Sequence, residues 1–508
     1  MTRLNRVMEA VDKIHSDELV DVDVVDVTTD SREVRPGWIF VAVRGTTFDG
    51  HTALSQAVAA GAVAVVVQTP PREGCGVPMI TVGDSRLAFA QIVRVVRNNP
   101  ADGLHIYGVT GTNGKTTCAT ILEQMFAQTG RRVGFIGTTG NRFAGEVLAT
   151  NYTTPHARVL ADLFEEMQRH EIDTVCMEVS SHALDQHRVW GVPFRGAIFT
   201  NLTRDHLDYH RTMEAYGRAK KRLFDMLAPD AVAVLDADNE WTPYIKRHCK
   251  AERIITVGRD RDADVRIVDV DLSLRGASFT LLRRRSDVAH IPERLECSTI
   301  LLGDFNVTNA AVCAVMCLAE GIPAADVVRA LACVSGPAGR MERYTLVNGG
   351  VAVVDYAHTP DALDNALRGL RMLHADSPLK PHIHVVFGCG GDRDRGKRPE
   401  MGRIAALHAD YIWLTSDNPR GEDPADILRH ILGGIEGAVR ERTTVIEDRR
   451  EAIRAALEEA GPNDVVLVAG KGHEEYQIIG LERLPFSDAA EIIASGRAVQ
   501  PLSMALGS

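Results

Sequence analysis

A glycine-rich loop between a strand and a helix is the feature that most constrains the fold of this chain. The segment GVTGTNGKTT, residues 108–117, completes the strand-like run HIYGVT and precedes the helical run CATILEQMFAQTG. Glycines let backbone N–H groups wrap phosphate oxygens, and the start of a helix adds partial positive charge. In such loops a lysine reaches the terminal phosphates and a threonine hydroxyl holds Mg²⁺. We therefore predict nucleotide binding by one continuous set of residues: Gly111, Thr112, Asn113, Gly114, Lys115, Thr116 and Thr117.

The loop departs from the strict GxxxxGK[ST] pattern, because Val109 stands where the first glycine would be. The alternative interpretation is a glycine- and threonine-rich turn with a solvated Lys115, which the flanking strand and helix disfavour. The chain carries no NKxD-type segment for reading guanine, which argues against a GTPase. A simple kinase would not need a chain of this length.

The order of strand-like and helix-like runs predicts an α/β protein of three domains. With 508 residues the chain is too long for one hydrophobic core. Turn-forming residues at 98–103 and at 335–339 mark two linkers, so we expect domains at 1–100, 101–336 and 337–508. Buried strands that alternate with helices indicate mostly parallel sheets, and ligands bind at the carboxyl ends of such strands.

Composition excludes several classes of protein. A balance of 57 basic against 68 acidic residues gives a net charge of −11, so nucleic-acid binding is not expected. The apolar runs fall far short of the ~20 residues that span a bilayer, so no membrane insertion is expected. The N-terminal run MTRLNRVMEAVDKIHSDE is typical of an amphipathic helix and not of a signal peptide. Nine scattered cysteines favour a reducing compartment, so we expect a soluble cytoplasmic protein.

Three further residues could serve phosphate chemistry. Glu178 ends the strand-like run TVCME, where a carboxylate could hold a metal ion beside the phosphates. His206 follows another strand end, and Lys220 lies on a predicted helix. Each also has an ordinary interpretation: a helix-capping glutamate, an exposed loop histidine and a lysine on a solvated face. Spacing alone favours the ordinary interpretation for His206 and Lys220.

The order of motifs along the chain resembles the Mur ligase family of bacterial cell-wall synthesis. The segments GTNGKTT, MEVSSHALDQHRV, NLTRDHLDYH and AKKRLF carry the resemblance to the family as a whole. The segments LLGDFNVTNA, GRMER, DYAHTPDAL, GCGGDRDRGKRPEM, TSDNPR and AGKGHEEYQ resemble the branch that adds the third amino acid of the stem peptide. The similarity runs from about Asp30 to Asp488 and covers nearly the whole chain.

The resemblance implies an ATP-dependent amide ligase. Such an enzyme adds meso-2,6-diaminopimelate to UDP-N-acetylmuramoyl-L-alanyl-D-glutamate by way of an acyl phosphate, with ATP and Mg²⁺. By the resemblance, Lys115, Glu178, His206 and Lys220 are catalytic, and Lys220 carries a carbamate (N6-carboxylysine). Thr116, Glu178 and His206 would hold the metal, and Asn306 and Arg340 would contact the nucleotide. The segment LDADNE at 235–240 replaces the family's usual adenine-side sequence.

The resemblance also assigns two sets of substrate-binding residues. The N-terminal domain would bind the uridine diphosphate, the central domain ATP and the C-terminal domain the incoming amino acid. The residues expected to hold the UDP-sugar peptide are Ser31, Thr46, Thr47, Phe48, Thr153, Thr154, Ser180, Gln186 and Arg188. The residues expected to hold diaminopimelate are Arg393, Asp417, Asn418, Pro419, Arg420, Gly470 and Glu474.

Arg420, in the segment DNPR, bears on which amino acid is added. Diaminopimelate has a second carboxylate that lysine lacks, and an arginine can bind a carboxylate with two parallel hydrogen bonds. A lysine-adding ligase of the same family stays open as the alternative. A folylpolyglutamate-type ligase would lack DNPR, and a non-catalytic scaffold would be favoured by loss of Lys115, Glu178 or Lys220, which are all present. We expect small-molecule partners only, and a monomer.

Overall fold

The structure is a computed structural model that describes residues 2–17, 21–45, 48–72, 74–150, 152–273, 276–286, 288, 291–372 and 381–499. The chain divides into two compact units. The first comprises Met1–Arg266, Arg283–Glu293 and Ala311–Val327, and the second comprises Ile267–Leu282, Arg294–Ala310 and Val328–Ser508. The domain boundaries expected near residues 100 and 336 stay predictions.

The first hundred residues form a small α/β layer within the first unit. Its strands are β1 (Thr2–Arg3), β2 (Lys13–Ser16), β3 (Asp23–Val24), β4 (Asp26–Thr28), β5 (Trp38–Val41), β6 (Ala62–Val67) and β7 (Met79–Val82). Its helices are α1 (Leu4–Glu9), α2 (Leu54–Ala59) and α3 (Ser85–Val96), with 3₁₀ turns at Gly50–Ala53 and Pro100–Gly103.

The sheet of this layer has the strand order β2-β7-β6-β5-β4. Strands β4 to β7 are parallel, and β2 is antiparallel at the edge. Alternate side chains pack on opposite faces, so Ile39 and Val41 belong to one core while Trp38 and Phe40 belong to the other. Both faces are therefore buried, as the continuous apolar runs predicted.

The N-terminal helix is much shorter than the sequence predicted. Helix α1 ends at Glu9, and Lys13 already pairs with Val82 of β7. The expectation of a helix throughout MTRLNRVMEAVDKIHSDE is wrong beyond Glu9. Backbone pairing with the sheet edge outweighs the helical pattern here, because tertiary context overrides local propensity.

A second, larger sheet of the first unit begins at residue 105. Its strands are β8 (His105–Thr110), β9 (Val133–Gly137), β10 (Gly140–Phe143), β11 (Glu146–Leu148), β12 (Thr174–Glu178), β13 (Phe194–Phe199), β14 (Val232–Asp236) and β15 (Arg253–Gly258). The residues of the next strand, β16 (Val265–Ser273), are divided between the two units. The helices are α4 (Lys115–Gln128), α5 (Ala157–Arg169), α6 (Ser181–Asp185), α7 (Leu207–His210), α8 (Met213–Asp225) and α9 (Thr242–Lys246). The order β9-β12-β8-β13-β14-β15 is parallel throughout.

The remaining elements are β17 (Gly276–Arg283), β18 (Arg294–Thr299), β19 (Glu342–Leu346), β20 (Val351–Asp355), β21 (Ile383–Phe387), β22 (Tyr411–Leu414), β23 (Thr443–Val445), β24 (Val465–Ala469), β25 (Tyr476–Ile479), β26 (Glu482–Pro485) and β27 (Ala498–Val499). Their helices are α10 (Asp304–Ala319), α11 (Ala324–Cys333), α12 (Pro360–Met372), α13 (Lys397–His408), α14 (Pro424–Leu432), α15 (Arg449–Glu459) and α16 (Asp488–Ala494), with a 3₁₀ turn at Ala438–Arg442.

The second unit is built on the sheet β23-β22-β21-β24-β20-β19-β27. Its strands from β23 to β20 are parallel, while β19 and β27 are antiparallel. Apolar cores cover both faces of the sheet. The predicted α/β class with parallel-rich sheets is confirmed.

Within the described residues, no helix is long and apolar enough to cross a bilayer.

Candidate active site

The glycine-rich loop lies at the carboxyl end of β8, directly before α4. Gly114 has a φ of 84° and precedes Lys115, the first residue of the helix. A Cβ at Gly111 would collide with Oγ1 of Thr200, so only glycine fits there. Nζ of Lys115 donates to the carbonyl oxygens of Gly111 and Thr112, at 2.9 Å each. The loop is thus folded around its own lysine at a helix start, the arrangement that binds phosphate.

Two residues after β13 hold the loop from the side. Oδ1 of Asn201 accepts a hydrogen bond from the Asn113 amide at 2.9 Å, and Oγ1 of Thr200 donates to the Asn113 carbonyl at 2.6 Å. The sequence analysis did not single out either residue. Their position directly after a buried strand was the signal, because parallel strands end at one edge of the sheet.

Glu178 lies at the end of β12 with its side chain buried. Oγ1 of Thr116 donates to its Oε2 at 2.9 Å, and the Thr138 amide donates to its Oε1 at 2.7 Å. The hydroxyl of Thr138 lies 3.3 Å from the same Oε2. The carboxylate is therefore fixed beside the first turn of α4, where the half-buried Thr117 also lies. Thr138 is a third residue that the sequence analysis missed.

Lys220, on α8, is almost fully buried. Its Nζ donates to the Gly111 carbonyl at 2.6 Å and lies 4.4 Å from the centre of the Tyr216 ring. Burial, with a contribution from Lys115, lowers the pKa of the Lys220 ammonium well below its usual value. Tyr216 also places its hydroxyl 3.2 Å from Oγ1 of Thr112. The structure thus joins Lys220 to the phosphate loop, which spacing alone did not indicate.

His206 precedes α7 in the left-handed conformation, with a φ of 51°. Its ring lies 4.9 Å from that of His182 and its Nε2 lies 3.4 Å from a carboxylate oxygen of Asp205. Among the residues that the structure describes, no three His, Cys, Asp or Glu side chains are placed to hold a metal ion. An ion beside Glu178 would take its other ligands from hydroxyl, water and phosphate oxygens, as Mg²⁺ commonly does.

The residues predicted to contact the muramoyl peptide are linked to the backbone of Glu178. Oγ1 of Thr154 donates to the Glu178 carbonyl at 2.8 Å and accepts from the Ser180 amide at 3.0 Å. Oγ1 of Thr153 accepts from Thr138 at 3.2 Å. These hydroxyls therefore line the same end of the sheet as the phosphate loop.

Arg188 places a guanidinium next to these hydroxyl groups. Nη1 of Arg188 donates to the Thr154 carbonyl at 2.9 Å, and Nη2 donates to Oε1 of Gln186 at 2.8 Å. Its guanidinium carbon lies 4.9 Å from the centre of the Tyr152 ring. Burial lowers the pKa of Arg188 from its usual value. A half-buried cation at this place suits an anionic substrate group.

The predicted uridine pocket is described in part. Oγ of Ser31 donates to Oε1 of Gln56 at 3.0 Å in the N-terminal layer. Phe48 is 60% exposed, which leaves its ring available to a ligand. Thr46 and Thr47 lie outside the described residues.

Two predicted nucleotide contacts belong to the second unit. Nδ2 of Asn306 donates to the Leu302 carbonyl at 2.7 Å, and the Asn306 side chain is buried. The guanidinium carbon of Arg340 lies 5.0 Å from the centre of the Tyr356 ring. Nε of Arg340 is buried without a hydrogen-bond partner in the part of the chain described. A buried donor of this kind is costly unless a ligand satisfies it.

The residues predicted to hold the incoming amino acid come together in the second unit. Nδ2 of Asn418 donates to Oε2 of Glu474 at 3.1 Å. Gly470 has a φ of 117°, and a Cβ there would lie 2.9 Å from Oδ2 of Asp417. Two sequence segments therefore meet at the carboxyl ends of β22 and β24.

Arg420 and Arg393 flank the same glycine. Arg420 adopts a φ of 51°, and its Nη1 donates to the Gly391 carbonyl at 2.8 Å. A Cβ placed on Gly390 would lie 2.9 Å from Nη1 of Arg420 and 3.7 Å from Cγ of Arg393. The carbonyl oxygen of Pro419 lies so close to Gly391 that any side chain at residue 391 would collide with it. Two cations thus border one patch of backbone.

The sequence analysis did not single out the ion pair between Arg398 and Glu422, which lies beside this patch. Arg398, fully buried, donates to Oε1 and Oε2 of Glu422 at 2.9 and 3.1 Å. Oε1 of Glu422 also accepts from the Asp392 amide at 2.6 Å. Hydrogen bonds from Arg398 hold the pKa of Glu422 at about 2. Arg398 is therefore an internal residue, although residues 393–396 just before it are exposed.

Comparison with known families matches three parts of the chain. Residues 23–97 match the Mur ligase family, catalytic domain, residues 109–317 the Mur ligase middle domain, and residues 339–472 the Mur ligase, glutamate ligase domain.

Curated relatives match over nearly their whole length. The UDP-N-acetylmuramoyl-L-alanyl-D-glutamate--2,6-diaminopimelate ligase of Geobacillus thermodenitrificans is 43% identical over 474 residues, which is 92% of this chain and 94% of that protein. The enzyme of the same name from Listeria monocytogenes is 36% identical over 498 residues, 96% of this chain and 97% of that protein.

Solved structures give the same picture of the fold. A structure of UDP-N-acetylmuramoyl-L-alanyl-D-glutamate--2,6-diaminopimelate ligase superposes with a TM-score of 0.71 at 34% identity, over 94% of this chain and 96% of that chain. The MurF ligase of Thermotoga maritima in complex with ADP superposes with a TM-score of 0.54 at 18% identity, over 87% and 93%. The second likeness shows the fold alone.

Proposed function

The chain belongs to the Mur ligase family of ATP-dependent ligases, and we propose that it joins meso-2,6-diaminopimelate to UDP-N-acetylmuramoyl-L-alanyl-D-glutamate in peptidoglycan precursor synthesis. The observation that supports this specificity is the convergence of Arg393, Asn418, Arg420 and Glu474 from three separate segments. A carboxylate and two guanidinium groups suit a diamino acid that carries a second carboxylate.

The reaction proceeds in two steps. An oxygen of the substrate's γ-carboxylate attacks the γ-phosphorus of ATP, and ADP leaves. The amine then attacks the carbonyl carbon of the acyl phosphate, and the tetrahedral intermediate expels phosphate while the nitrogen loses a proton. Protein groups contribute mainly positioning and charge neutralisation, as in other phosphoryl transfers.

Lys115 and the start of α4 serve the first step. The backbone amides from Gly111 to Thr117 surround the phosphates, and Lys115 moves from its own loop carbonyls to the γ-phosphate. An ammonium at that place stabilises the charge that spreads over the equatorial oxygens. Asn306 and Arg340 contribute nucleotide contacts, and the orphaned Nε of Arg340 supports its part.

Mg²⁺ fits the oxygen groups of Thr116 and Glu178, since hard cations prefer such ligands. His206 would be the third protein ligand of the ion. The ion supplies charge neutralisation between the phosphates when bound. The chain's own part is to hold the Glu178 carboxylate rigidly through Thr116 and Thr138.

Lys220 acts as a carbamate. A neutral lysine amine adds to CO₂, a proton is released, and the product is an anion that can orient a metal ion. Burial favours the neutral amine, which supports this modification.

The UDP-sugar peptide binds along Ser31, the segment 46–48 and the group Thr153, Thr154, Ser180, Gln186 and Arg188. The hydrogen bonds that tie the latter group to Glu178 support a continuous substrate path toward the phosphate loop. The proposed protein is a monomer that acts on small molecules. The use of ATP supports the cytoplasm as the place of action.

Phosphate release with MgATP and UDP-N-acetylmuramoyl-L-alanyl-D-glutamate tests the proposal. Parallel reactions contain meso-diaminopimelate, L-lysine or no amino acid, and mass spectrometry identifies the product. We expect release and the tripeptide product with diaminopimelate only. Release with lysine instead would retain the ligase and overturn the specificity, and no release in any arm would overturn the activity.

A further inference from the structure

Lys471 is a fully enclosed cation at the amino-acid site. It follows Gly470 at the end of β24, and its side chain is fully buried. Its Nζ lies 2.7 Å from the Tyr476 carbonyl, 3.1 Å from Oδ1 of Asn418 and 3.4 Å from Oε2 of Glu474. A lysine ammonium has three hydrogens to donate, and each of them has an acceptor here. The cation is therefore fixed in place.

The contact with Asn418 determines how that amide points. Its Oδ1 accepts from Lys471 and, at 2.9 Å, from the Ile478 amide. Because both neighbours are donors, the oxygen must face them, and Nδ2 turns toward Oε2 of Glu474. The amide group cannot flip without placing its N–H groups against two donors.

The Lys471 ammonium also lies near two carboxylates, those of Asp417 and Glu474. Oδ1 of Asp417 lies 3.7 Å from its Nζ, and Glu474 lies within hydrogen-bond reach. Lys471 therefore contacts both acidic side chains of the site as well as the Asn418 amide.

Lys471 also connects two backbone segments of the site, the DNPR segment and β25. The Tyr476 carbonyl that accepts from Lys471 begins β25, and Nε2 of Gln477 in that strand donates to the Asp417 carbonyl at 2.8 Å. The Arg420 amide donates to the Ile478 carbonyl at 3.1 Å. Lys471 thus ties the DNPR segment to the strand that runs beside it.

We propose that Lys471 is a positioning residue of the amino-acid site: it orients the Asn418 amide and the Glu474 carboxylate that receive the polar groups of the incoming amino acid. Its side chain is fully buried and its three donors have acceptors within the protein, so it acts on the substrate through Asn418 and Glu474. This inference rests on the proposed function, since it assigns Lys471 to the site for the added amino acid.

Lys471→Met tests the proposal, since methionine keeps an apolar stem of similar length and removes the donor. We expect the KM for diaminopimelate to rise about 10-fold or more, the scale on which charged hydrogen bonds act. The KM values for ATP and for the UDP-linked substrate should stay within about twofold, because those sites are made by other residues. Lys471→Gln, which retains a donor without the charge, should fall between the parent and Lys471→Met.

Ile492→Ala is the matched control. Ile492 is fully buried in an apolar core of the second unit, and none of the polar contacts of Lys471 involves it. Its loss should lower the melting temperature without a selective change in the KM for diaminopimelate. Melting temperatures of all variants show whether stability alone accounts for the kinetics.

A double-mutant cycle with Asn418→Ala separates positioning from bulk packing. If Lys471 acts through the amide, Lys471→Met should raise the KM much less in the Asn418→Ala background than in the parent. Equal KM values for Lys471→Met and the parent, or multiplicative effects in the double variant, would overturn the proposal. Failure of both Lys471 variants to fold would assign a structural role and overturn it as well. An inactive parent would instead overturn the proposed function, and this inference with it.

Discussion

Lys115 and Lys220 donate hydrogen bonds to the same acceptor, the carbonyl oxygen of Gly111, at 2.9 and 2.6 Å. One lysine begins α4 and the other lies on α8, so a single loop carbonyl accepts from side chains of two helices. Burial, with a smaller contribution from the nearby Lys115, lowers the pKa of Lys220 well below its usual value. Departure of Lys115 to a bound phosphate would leave Lys220 as the remaining partner of that carbonyl.

Lys220→Ala should abolish most ligase activity, because the proposed carbamate disappears with the amine. A small carboxylic acid such as acetate or formate should restore part of the activity by supplying an anion in the space left. Phosphate release with and without added acid measures both effects. Arg218→Ala, at an exposed position of the same helix, is the control and should stay active. Full activity of Lys220→Ala would rule out the carbamate.

Glu178→Gln should lower the rate of phosphate release at least about 100-fold, the upper range for lost metal-site partners. Glutamine keeps the shape and can still accept from Thr116, but it loses the charge that a divalent cation needs. The rate at increasing Mg²⁺ concentration is the measurement, and a raised Mg²⁺ requirement is the expected signature. Glu214→Gln, exposed at the start of α8, should behave as the parent. An unchanged Mg²⁺ dependence would remove Glu178 from the proposed metal site.

Arg420→Ala should reduce kcat/KM for diaminopimelate by about 10- to 100-fold, since a charged hydrogen bond to a carboxylate contributes about 1.5–3 kcal/mol. The KM for ATP should stay within about twofold, because the nucleotide is bound by other residues. The kcat/KM for diaminopimelate and the KM for ATP are therefore the two readouts. Arg395→Ala removes a mostly exposed arginine that pairs with Glu422 and serves as the control. A kcat/KM for diaminopimelate equal to that of the parent would remove Arg420 from the proposed diaminopimelate site.

Asp236→Asn should stabilise the first unit at neutral pH. Burial raises the pKa of Asp236 to about 7 from its ordinary value of 3.8. Between these two values the folded protein keeps a proton that the unfolded chain has released, so the free energy of unfolding falls as pH rises through this window. Because the residue is only half-buried, we expect the variant to gain about 1–2 kcal/mol at pH 8 and nothing near pH 4.

Urea denaturation of the Asp236 variant at pH 4, 6 and 8 checks this difference. Asp230→Asn, at an exposed position before β14, is the control and should leave the pH dependence as it is in the parent. A parent and an Asp236→Asn variant with parallel stability profiles would show that the carboxyl ionises normally in the folded protein.

Much of the fold could be read from local patterns. The runs WIFVAV, AVAVVV and TVCME became β5, β6 and β12 because continuous apolar residues can be buried only between two layers. The glycine-rich loop was equally local, since the flanking strand, the glycines and the helix are all contiguous. The prediction of a long N-terminal helix is wrong, because the second half of that segment pairs with a sheet edge that lies far away in sequence.

By itself the sequence determined the α/β class, the phosphate loop and the resemblance that names the candidate residues, because these depend on short stretches of chain. Tertiary structure alone decided that Thr138 and Thr116 fix Glu178, that Lys220 reaches the Gly111 carbonyl, and that Lys471 orients Asn418. Each of these contacts joins residues on different segments. Hydrogen bonds of that kind depend on where parallel strands end beside one another, and no local pattern of residues carries that information.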